Sequence, residues 1–370
     1  MKTDQEIIDL IIGGATRRQL NKEHGVNNYR HSKLYAMAAR QGFSPDHDMT
    51  HTVPDGYHVK GTSTLYKDGK PALQWVKSSI DHERQREMMV EAAHALAAEV
   101  PKYEASPLVK RDYADLMAVY PIADAHIGMM SWGEETGEDW DMKIAEEKIL
   151  GVFNRLVRTA PNCKQAVIVN LGDWFHSENM EGRTSKSGHS LDMDSRFGKM
   201  IDVGVKMIRV MIDSALQHHE SVRVVGVKGN HDETASIVMH VMLAMVYENE
   251  PRVIIDREFS VFAYFRFGEV LCGVHHGHTC KADKLMGVMA TDKAKEWGQT
   301  KHRHWLTGHI HHDSRKEYSG CTVESFRTLI SRDSYAADNG YRSQRDSKCI
   351  VYHKQYGEVE RHTVNIDMVQ

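Results

Sequence analysis

The sequence predicts a layered α/β protein that is preceded by a small helical segment. From residue 116 onward, apolar stretches typical of β-strands alternate with stretches of helical periodicity. This alternation favours a fold in which helices cover sheets. Five of the predicted strands are followed by histidine, aspartate or asparagine, and sites in α/β sheets form at the carboxyl ends of strands. Before residue 49, short helical patterns are separated by turns that contain glycine, which predicts a separate helical unit.

Composition sets limits on the class of protein. The chain has 370 residues, 41% hydrophobic and 26% charged, so we expect a globular protein with more than one domain. A net charge of −4 argues against a general attraction to nucleic acid or anionic membranes. The charged N-terminus predicts no signal peptide, and the apolar runs are too short to span a bilayer. Five cysteines without a Cys-x-x-Cys pair argue against disulfides and thiolate zinc sites, so we expect a cytoplasmic protein without a membrane partner.

The N-terminal segment, residues 1–48, is predicted to contain helices at 4–12, 17–23 and 29–41. Two helices joined by a tight turn with glycine resemble small helix-turn-helix modules that bind DNA. Basic side chains outnumber acidic ones between residues 14 and 45, with Arg17, Arg18, Lys22, Arg30, Lys33 and Arg40 against Glu23. Arg30, His31 and Lys33 begin the third helix and are our candidates for contacts in a DNA major groove. A three-helix unit that only packs against another domain or mediates assembly is the alternative.

Residues 49–114 are predicted to connect this segment to the main domain, residues 115–370. The stretch 57–77 alternates as a β-hairpin around Asp68-Gly69, which is a strong two-residue turn signal. A long amphipathic helix is predicted at 79–100, followed by a linker at 101–111. Nothing in this connector suggests catalysis.

The main domain is predicted to alternate strands and helices in chain order. We expect strands at 116–122, 165–171, 222–228, 253–255, 260–267, 269–274 and 304–307, helices at 142–159, 196–219, 233–247 and 282–297, and a tail of short antiparallel strands ending at 360–365. The connection 177–195 is polar and long for a compact domain, and such loops are often functional.

Ligand-type side chains follow five of these strands. The groups are Asp124 with His126; Asp173; Asn230, His231 and Asp232; His275, His276 and His278; and His309 with His311. Imidazole nitrogens together with carboxylate and amide oxygens, without thiolates, suit Mn²⁺, Fe²⁺, Zn²⁺ or Ni²⁺. There are too many ligands for one tetrahedral ion, but enough for two ions that share a carboxylate. Such a pair clamps the attacking and leaving oxygens in phosphoester hydrolysis.

This ordered set of motifs (Asp-x-His, Gly-Asp, Gly-Asn-His-Asp, His-Gly-His, Gly-His-x-His) resembles the calcineurin-like metallophosphoesterase family over about residues 116–330. Within that family it looks most like bacterial and phage proteins grouped with the double-strand-break-repair exonucleases. The resemblance implies a β-sandwich flanked by helices, two divalent ions, and the cytoplasm of a bacterium or a phage-infected host. We expect Mn²⁺ as the metal, with Fe, Zn or Ni as alternatives.

The resemblance also implies a role for each motif residue. Asp124, His126 and His311 would hold the first ion, Asn230, His276 and His309 the second, and Asp173 would bridge them. A hydroxide between the ions would attack phosphorus, His231 would protonate the leaving oxygen, and Asp232 would orient the His231 ring. His275, His276 and His278 could all be ligands on residue type alone. The family's ligand is the histidine directly before glycine, which selects His276 and leaves His275 for the core.

Several residues and several substrate classes are candidates for the substrate-binding part of the site. His278, Arg183 and Arg332 are candidates for substrate binding, and His176 either approaches the site or is solvated. We expect a phosphodiesterase or nuclease that acts on DNA. The alternatives are a small-molecule phosphatase or cyclic-nucleotide phosphodiesterase, and a non-catalytic DNA-binding protein with a relic phosphoesterase domain. Homo-oligomerisation and a preference for exo- or endonuclease action stay open.

Overall fold

The computed structural model describes residues 2–40, 54–67, 70–99, 102, 113–184, 188, 190–257 and 260–369. The hairpin turn predicted at Asp68-Gly69 and most of the linker predicted at 101–111 lie outside these residues. The chain divides into two compact units, Met1–Ala92 and Ala93–Gln370. The predicted domain boundaries after residues 48 and 114 stay predictions.

The first unit opens with three helices: α1 (Asp4–Ile12), α2 (Arg17–His24) and α3 (Asn28–Arg40). Thr3 and Thr16 cap α1 and α2 through reciprocal side-chain and backbone hydrogen bonds, which satisfy amide groups that have no partner inside the helix. One apolar cluster joins all three helices and consists of Ile7, Ile8, Ile11, Leu20, Val26, Leu34 and Ala38. Helices this short are marginal alone, so this shared core stabilises them.

A hairpin and a helix follow. Strands β1 (Tyr57–Lys67) and β2 (Lys70–Ile80) pair antiparallel as a two-stranded sheet, and helix α4 runs from His82 to Glu99. These elements agree with the hairpin and the long helix predicted from the sequence. Among the described residues, no helix is long and apolar enough to cross a membrane.

The second unit contains a six-stranded sheet in the order β13-β12-β3-β4-β5-β6. Its strands are β3 (Tyr113–Ile122), β4 (Cys163–Asn170), β5 (Ser221–Gly226), β6 (Val253–Ile255), β12 (Asp346–His353) and β13 (Gly357–Asn365). Strands β3 to β6 are parallel, whereas β12 is antiparallel to both of its neighbours.

A five-stranded sheet in the order β10-β11-β9-β8-β7 lies on the first. Its strands are β7 (Phe262–Phe267), β8 (Val270–His275), β9 (His302–Thr307), β10 (Ser314–Tyr318) and β11 (Cys321–Ser325). The two sheets share one core, in which Val119 and Val167 of the first meet Cys272 and Leu306 of the second. Strands β8 and β9 are parallel, so their carboxyl ends lie at one edge.

Helices cover both outer faces of this sandwich. The helices that follow β3 are α5 (Gly133–Thr136), α6 (Met142–Thr159), α7 (Phe197–His218), α8 (Ala235–Val246), α9 (Ala282–Asp292), α10 (Ala294–Gln299) and α11 (Ser334–Asp338), with a final 3₁₀ turn at Ile366–Met368. Helices α6 and α7 pack against the six-stranded sheet, and α9 packs against the outer face of the five-stranded sheet. The predicted layered α/β fold, a β-sandwich flanked by helices, is confirmed.

Two predicted elements differ from the structure. The helix expected at 282–297 is interrupted at Lys293, whose φ of −123° and ψ of 44° are not helical. In the tail, where only antiparallel strands were expected, β11 pairs parallel with β9 and residues 334–338 form α11. The side chain of Asp333 caps this helix by accepting a hydrogen bond from the Ala336 amide, and such local capping outweighs weak strand propensity.

Candidate metal centre

Loops that follow β3, β4, β5, β8 and β9 bring the predicted metal ligands together. One group consists of Asp124, His126 and His311, and a second of Asp173, His276 and His309; within each group, all ligand atoms lie within 4.8 Å of one another. Asn230 joins the second group because its Oδ1 lies 3.1 Å from His276 Nε2. The fold therefore assembles two neighbouring sets of nitrogen and oxygen donors.

Asp173 lies between the two groups. Its Oδ2 is 3.1 Å from His276 Nε2 of the second group and 3.9 Å from His126 Nε2 of the first. Oδ1 of Asp124 is 4.0 Å from the same His276 Nε2 atom. Asp124 Oδ1 is also 3.3 Å from His311 Nε2. This is the arrangement in which one carboxylate faces both sets of donors.

Backbone strain coincides with these ligands. Among the described residues, the non-glycine residues with positive φ are Asp124 (49°), His126 (41°), Asp173 (52°), His309 (71°) and His311 (55°). A side chain in this left-handed region costs on the order of 1–3 kcal/mol and persists only where the surroundings enforce it. The fold thus bears a local energetic cost at five of the seven predicted ligand positions.

Glycines allow the ligand loops to approach one another. A Cβ atom on Gly229 would lie 1.8 Å from Asp173 Oδ1, and one on Gly308 would lie 2.6 Å from Asp124 Oδ2. Such separations are far below van der Waals contact, so only glycine fits at either position. The Gly-Asn-His-Asp and Gly-His-x-His motifs therefore need their glycines for steric reasons that are separate from the chemistry of the ligands.

Opposite charges hold the buried carboxylates and imidazoles together. Asp124 and His276 are each 0% exposed and Asp173 is 2% exposed. Burial lowers the pKa of His276, but Asp173 and Asp124 outweigh it and raise that pKa to about 9. Burial alone would raise the pKa of Asp173, but His276, His126 and His231 hold it well below its usual range. Burial and the nearby His231 depress the pKa of His126, which favours the neutral ring that a metal ion requires.

The donor set fits divalent metal ions. Buried carboxylates are costly unless they are paired or coordinate a metal, and here two of them face a cluster of imidazoles. The adjacent His176 is 2% exposed, and its Nε2 has no hydrogen-bond partner within the described part of the chain. Imidazole, carboxylate and amide donors without a thiolate match Mn²⁺, Fe²⁺, Zn²⁺ or Ni²⁺.

The His231 ring is oriented by a backbone carbonyl, which corrects the role expected for Asp232. His231 Nδ1 lies 3.0 Å from the carbonyl oxygen of His176. A carbonyl only accepts hydrogen bonds, so Nδ1 carries the proton and Nε2 is left to exchange one. The ring also stacks on His176 at 5.6 Å between centroids and meets the His126 ring edge-on at 4.8 Å.

Asp232 instead ties the ligand loops to one another. Its Oδ1 accepts hydrogen bonds from the amides of Asp173 (3.2 Å) and Gly229 (3.0 Å). Its Oδ2 accepts from the Phe175 amide (3.2 Å) and from Ser236 Oγ (2.6 Å). Both oxygens are therefore occupied by loop and helix donors, not by the His231 ring. Burial and the charge of Asp173 raise the pKa of Asp232 to about 6.

Neighbouring histidines differ in what they do. His176 Nδ1 lies 3.2 Å from His126 Nδ1, so this residue belongs to the site, the first of the two options left by the sequence. The His278 ring is 5.1 Å from His276 and 6.1 Å from His309, beside the second donor group. His275 stacks on Phe262 and is fully buried, in agreement with the core position expected for it.

The two arginines predicted to bind substrate belong to the polar loop after β4 and to the segment after β11. Arg183 is exposed and belongs to an isolated bridge with Ser190 in the polar loop. The carbonyl of Arg332 accepts a hydrogen bond from Ser131 Oγ. A Cβ atom added to Gly137 would lie 3.2 Å from Nη2 of the Arg332 guanidinium. No hydrogen bond or ion pair joins either arginine to the predicted ligands within the described residues.

Of the side chains predicted to contact DNA in the first unit, some already have partners within the chain. Arg30 donates to Asp4 Oδ1 at 3.0 and 2.7 Å and to the carbonyl of Lys2, so its guanidinium is already engaged. The His31 ring lies 5.8 Å from the ring of Tyr35 on the same helix. Lys33 is exposed. Of the three candidates, Lys33 is the side chain that remains open to a phosphate.

Two supporting residues of the site were not identified from the sequence. Glu178 accepts hydrogen bonds from the Thr234 amide through both carboxylate oxygens, and burial raises its pKa to about 7. Thr328 Oγ1 donates to the carbonyl of Asp124 at 2.7 Å. Both act through backbone groups of other motifs, and an amino-acid pattern carries no signal for such contacts.

The chain was compared with protein families, curated proteins and solved structures, and the similarity found is low. No protein-family model matches it, and no match was found among curated proteins. A novel archaeal phosphodiesterase is 13% identical over 67% of this chain and 99% of its own, with a TM-score of 0.34. The Escherichia coli phosphoesterase Yfce is 13% identical over 67% of this chain and 100% of its own, with a TM-score of 0.31. Zinc-complexed Vps29 from Entamoeba histolytica is 12% identical over 68% of this chain and 99% of its own, with a TM-score of 0.30. Similarity at these TM-scores carries no argument, so the architecture rests on the strands and helices of this chain.

Proposed function

We propose that the chain is a two-metal phosphodiesterase that acts as a nuclease on DNA. The observation that carries this proposal is the pair of donor groups that face one shared carboxylate, Asp173, at the carboxyl ends of five strands. Two ions held by these donors would suit displacement at phosphorus, because the attacking and leaving oxygens both need positive charge nearby.

Each donor group has a defined set of residues to hold an ion. Asp124, His126 and His311 would hold one, and Asn230, His276 and His309 would hold the other, with Asp173 available to both. When bound, the ions supply Lewis-acid charge to phosphoryl oxygens and lower the pKa of water. We propose Mn²⁺ as the working metal, with Fe²⁺, Zn²⁺ and Ni²⁺ as competitors for the same donors.

His231 is the proposed proton donor to the leaving oxygen. The carbonyl of His176 accepts its Nδ1–H both in the neutral and in the protonated ring. The proton is therefore gained and lost at Nε2, and the ring does not need to turn during the cycle. Asp173 Oδ1 accepts the His231 amide at 2.9 Å, which couples the position of this ring to the shared carboxylate.

Support for DNA as the substrate comes from the first unit. Arg18, Lys22 and Lys33 are exposed on α2 and α3, and these two helices have the lengths and the glycine-containing turn of a helix-turn-helix. Exposed cations of this kind bind the phosphate backbone. We therefore propose that this unit delivers the catalytic unit to DNA.

A substrate panel tests the proposal. The purified chain with Mn²⁺ should hydrolyse labelled DNA and bis-p-nitrophenyl phosphate, and EDTA should abolish both activities. Asp173→Asn and His231→Ala should remove them as well. His362→Ala is a matched histidine control, because His362 pairs with Glu360 on β13 and should leave activity unchanged.

The panel also distinguishes the alternatives. Hydrolysis of p-nitrophenyl phosphate or cyclic nucleotides without DNA cleavage would replace the nuclease by a small-molecule phosphoesterase. The ion pair of Arg30 with Asp4 and the net charge of −4 favour that second candidate. Absence of bound metal together with absence of every activity would leave a non-catalytic DNA-binding protein.

A further inference from the structure

Two exposed tyrosines lie side by side on the segment that follows β11. Tyr335 is 63% exposed and Tyr341 is 57% exposed. Their ring centroids are 6.3 Å apart with 53° between the planes. Exposed aromatic rings of this size lose little entropy when they are covered, and they offer flat apolar faces to a ligand. The proposed chemistry at the metal centre uses neither ring.

The backbone under these rings is held in place. Asp333 caps α11, and Ser334 Oγ donates to Asp192 Oδ2 at 2.7 Å. The Tyr341 amide donates to the Ala336 carbonyl at 3.0 Å. The guanidinium of Arg342 donates to the carbonyls of Ala336, Ala337 and Tyr341. The two rings are therefore presented on a pre-organised loop, so a ligand would not have to order that loop on binding.

The same segment is attached to the loops that carry the predicted metal ligands. Thr328 donates to the carbonyl of Asp124, and Ser131, on the loop that follows His126, donates to the carbonyl of Arg332. A ligand on the tyrosines would thus lie beside the first donor group.

We propose that Tyr335 and Tyr341 form a stacking platform for unpaired nucleobases next to the phosphodiester that is cleaved. This inference rests on the proposed nuclease function and names its substrate as single-stranded nucleic acid. Exposed aromatic rings bind bases of any identity, because every base has a flat π-face, whereas bases in a duplex are already stacked on their neighbours.

The segment carries the exposed Arg342, and acidic side chains lie beside it. Helix α5 contacts α11 and carries the exposed Glu134 and Glu135. The second phosphate backbone of a duplex would bring further negative charge towards these carboxylates. A single strand can place its bases on the rings and its phosphate at the ions. The two rings therefore contribute affinity through stacking.

Steady-state kinetics with Mn²⁺ test the platform. The double variant Tyr335→Ala/Tyr341→Ala should raise KM for a single-stranded oligonucleotide by roughly tenfold or more, with kcat nearly unchanged. Hydrolysis of bis-p-nitrophenyl phosphate, which has no base, should stay at the wild-type level. The corresponding Phe/Phe variant should behave as wild type, because stacking does not need the hydroxyl groups.

A matched control and a modified substrate make the test specific. Tyr356→Ala removes a tyrosine that is 65% exposed but stacks on His353 at the β12–β13 turn, and it should change nothing. An oligonucleotide with abasic sites beside the cleaved bond should raise KM for the wild type and not for the Ala/Ala variant. Anisotropy of a labelled five-nucleotide strand in EDTA should show the same loss of binding without catalysis.

The outcomes separate the inference from the proposed function. Normal binding and cleavage of single strands by the Ala/Ala variant would overturn the platform and leave the nuclease intact. Wild-type hydrolysis of bis-p-nitrophenyl phosphate without any DNA cleavage would overturn the nuclease and the platform together. Inactivity on every substrate at full metal loading would overturn the phosphodiesterase itself.

Discussion

The two units of the chain place their polar side chains in opposite ways. In Met1–Ala92, the basic side chains that the structure describes are exposed or engaged in surface ion pairs, around a core of aliphatic side chains. In Ala93–Gln370, by contrast, Asp124, Asp173, Asp232 and His276 are at most 2% exposed. Burial of such groups is costly without partners. Their burial therefore indicates a functional site, whereas the exposure of a lysine does not indicate one. The predictions below test this difference, beginning with the largest expected effect.

Gly229→Ala tests whether the buried centre depends on close packing of its loops. The added methyl group would lie 1.8 Å from Asp173 Oδ1 and 2.3 Å from its amide nitrogen. We expect loss of phosphodiesterase activity and a decrease of about 1–3 kcal/mol in the free energy of unfolding, measured by urea titration. Gly287→Ala, inside α9 with open space around it, is the control and should raise that free energy by about 0.5–1 kcal/mol. Equal behaviour of the two variants would contradict the packing argument.

Asp232→Asn tests the corrected role of this residue. Because Asp232 joins the loops of Asp173 and Gly229, the change should weaken Mn²⁺ binding by about 10- to 100-fold, measured by calorimetry. If Asp232 oriented the His231 ring instead, metal affinity would stay constant and only kcat would fall. Ser236→Ala removes one of the four donors to this carboxylate and should have a smaller effect in the same direction.

The pH dependence of stability tests the effect of burying His304, a titratable residue outside the metal centre. Burial lowers the pKa of this β9 side chain to about 4, below its value in the unfolded chain. The unfolded state therefore takes up the proton first as the pH falls, and stability is lost between about pH 6.5 and pH 4. Urea titration in EDTA should show a loss from this residue of about 2 kcal/mol between pH 7 and pH 5. His304→Leu should remove that part of the pH dependence, and an unchanged pH profile would refute it.

Arg30 and Lys33 test the exposed unit, where we expect the smallest effects. The ion pair of Arg30 with Asp4 is partly exposed, so Arg30→Ala should lower the free energy of unfolding by only about 0.2–1 kcal/mol. Lys33→Ala should leave stability unchanged and reduce the salt dependence of DNA binding by about one unit of slope. A greater loss of DNA binding for Arg30→Ala than for Lys33→Ala would show that the ion pair opens on DNA.

The sequence predicts what depends on local pattern and misses what depends on loop geometry. Strand β3 is a largely apolar run, and helix α6 matches its predicted bounds, because the local sequence pattern specifies these elements. The break at Lys293 has no proline or glycine at that residue to mark it. The partners of Asp232 come from backbone amides of other motifs, and no residue type reveals where an amide points.

The four hydrogen bonds to Asp232 have a consequence for how the centre forms and opens. They come from the amides of Asp173, Phe175 and Gly229 and from the hydroxyl of Ser236, so one carboxylate is the common acceptor for two loops and the start of a helix. None of these segments can leave without exposing a buried charge that the others also need. The loops therefore form a single cooperative unit, in which the three amides should exchange with solvent in one shared opening event.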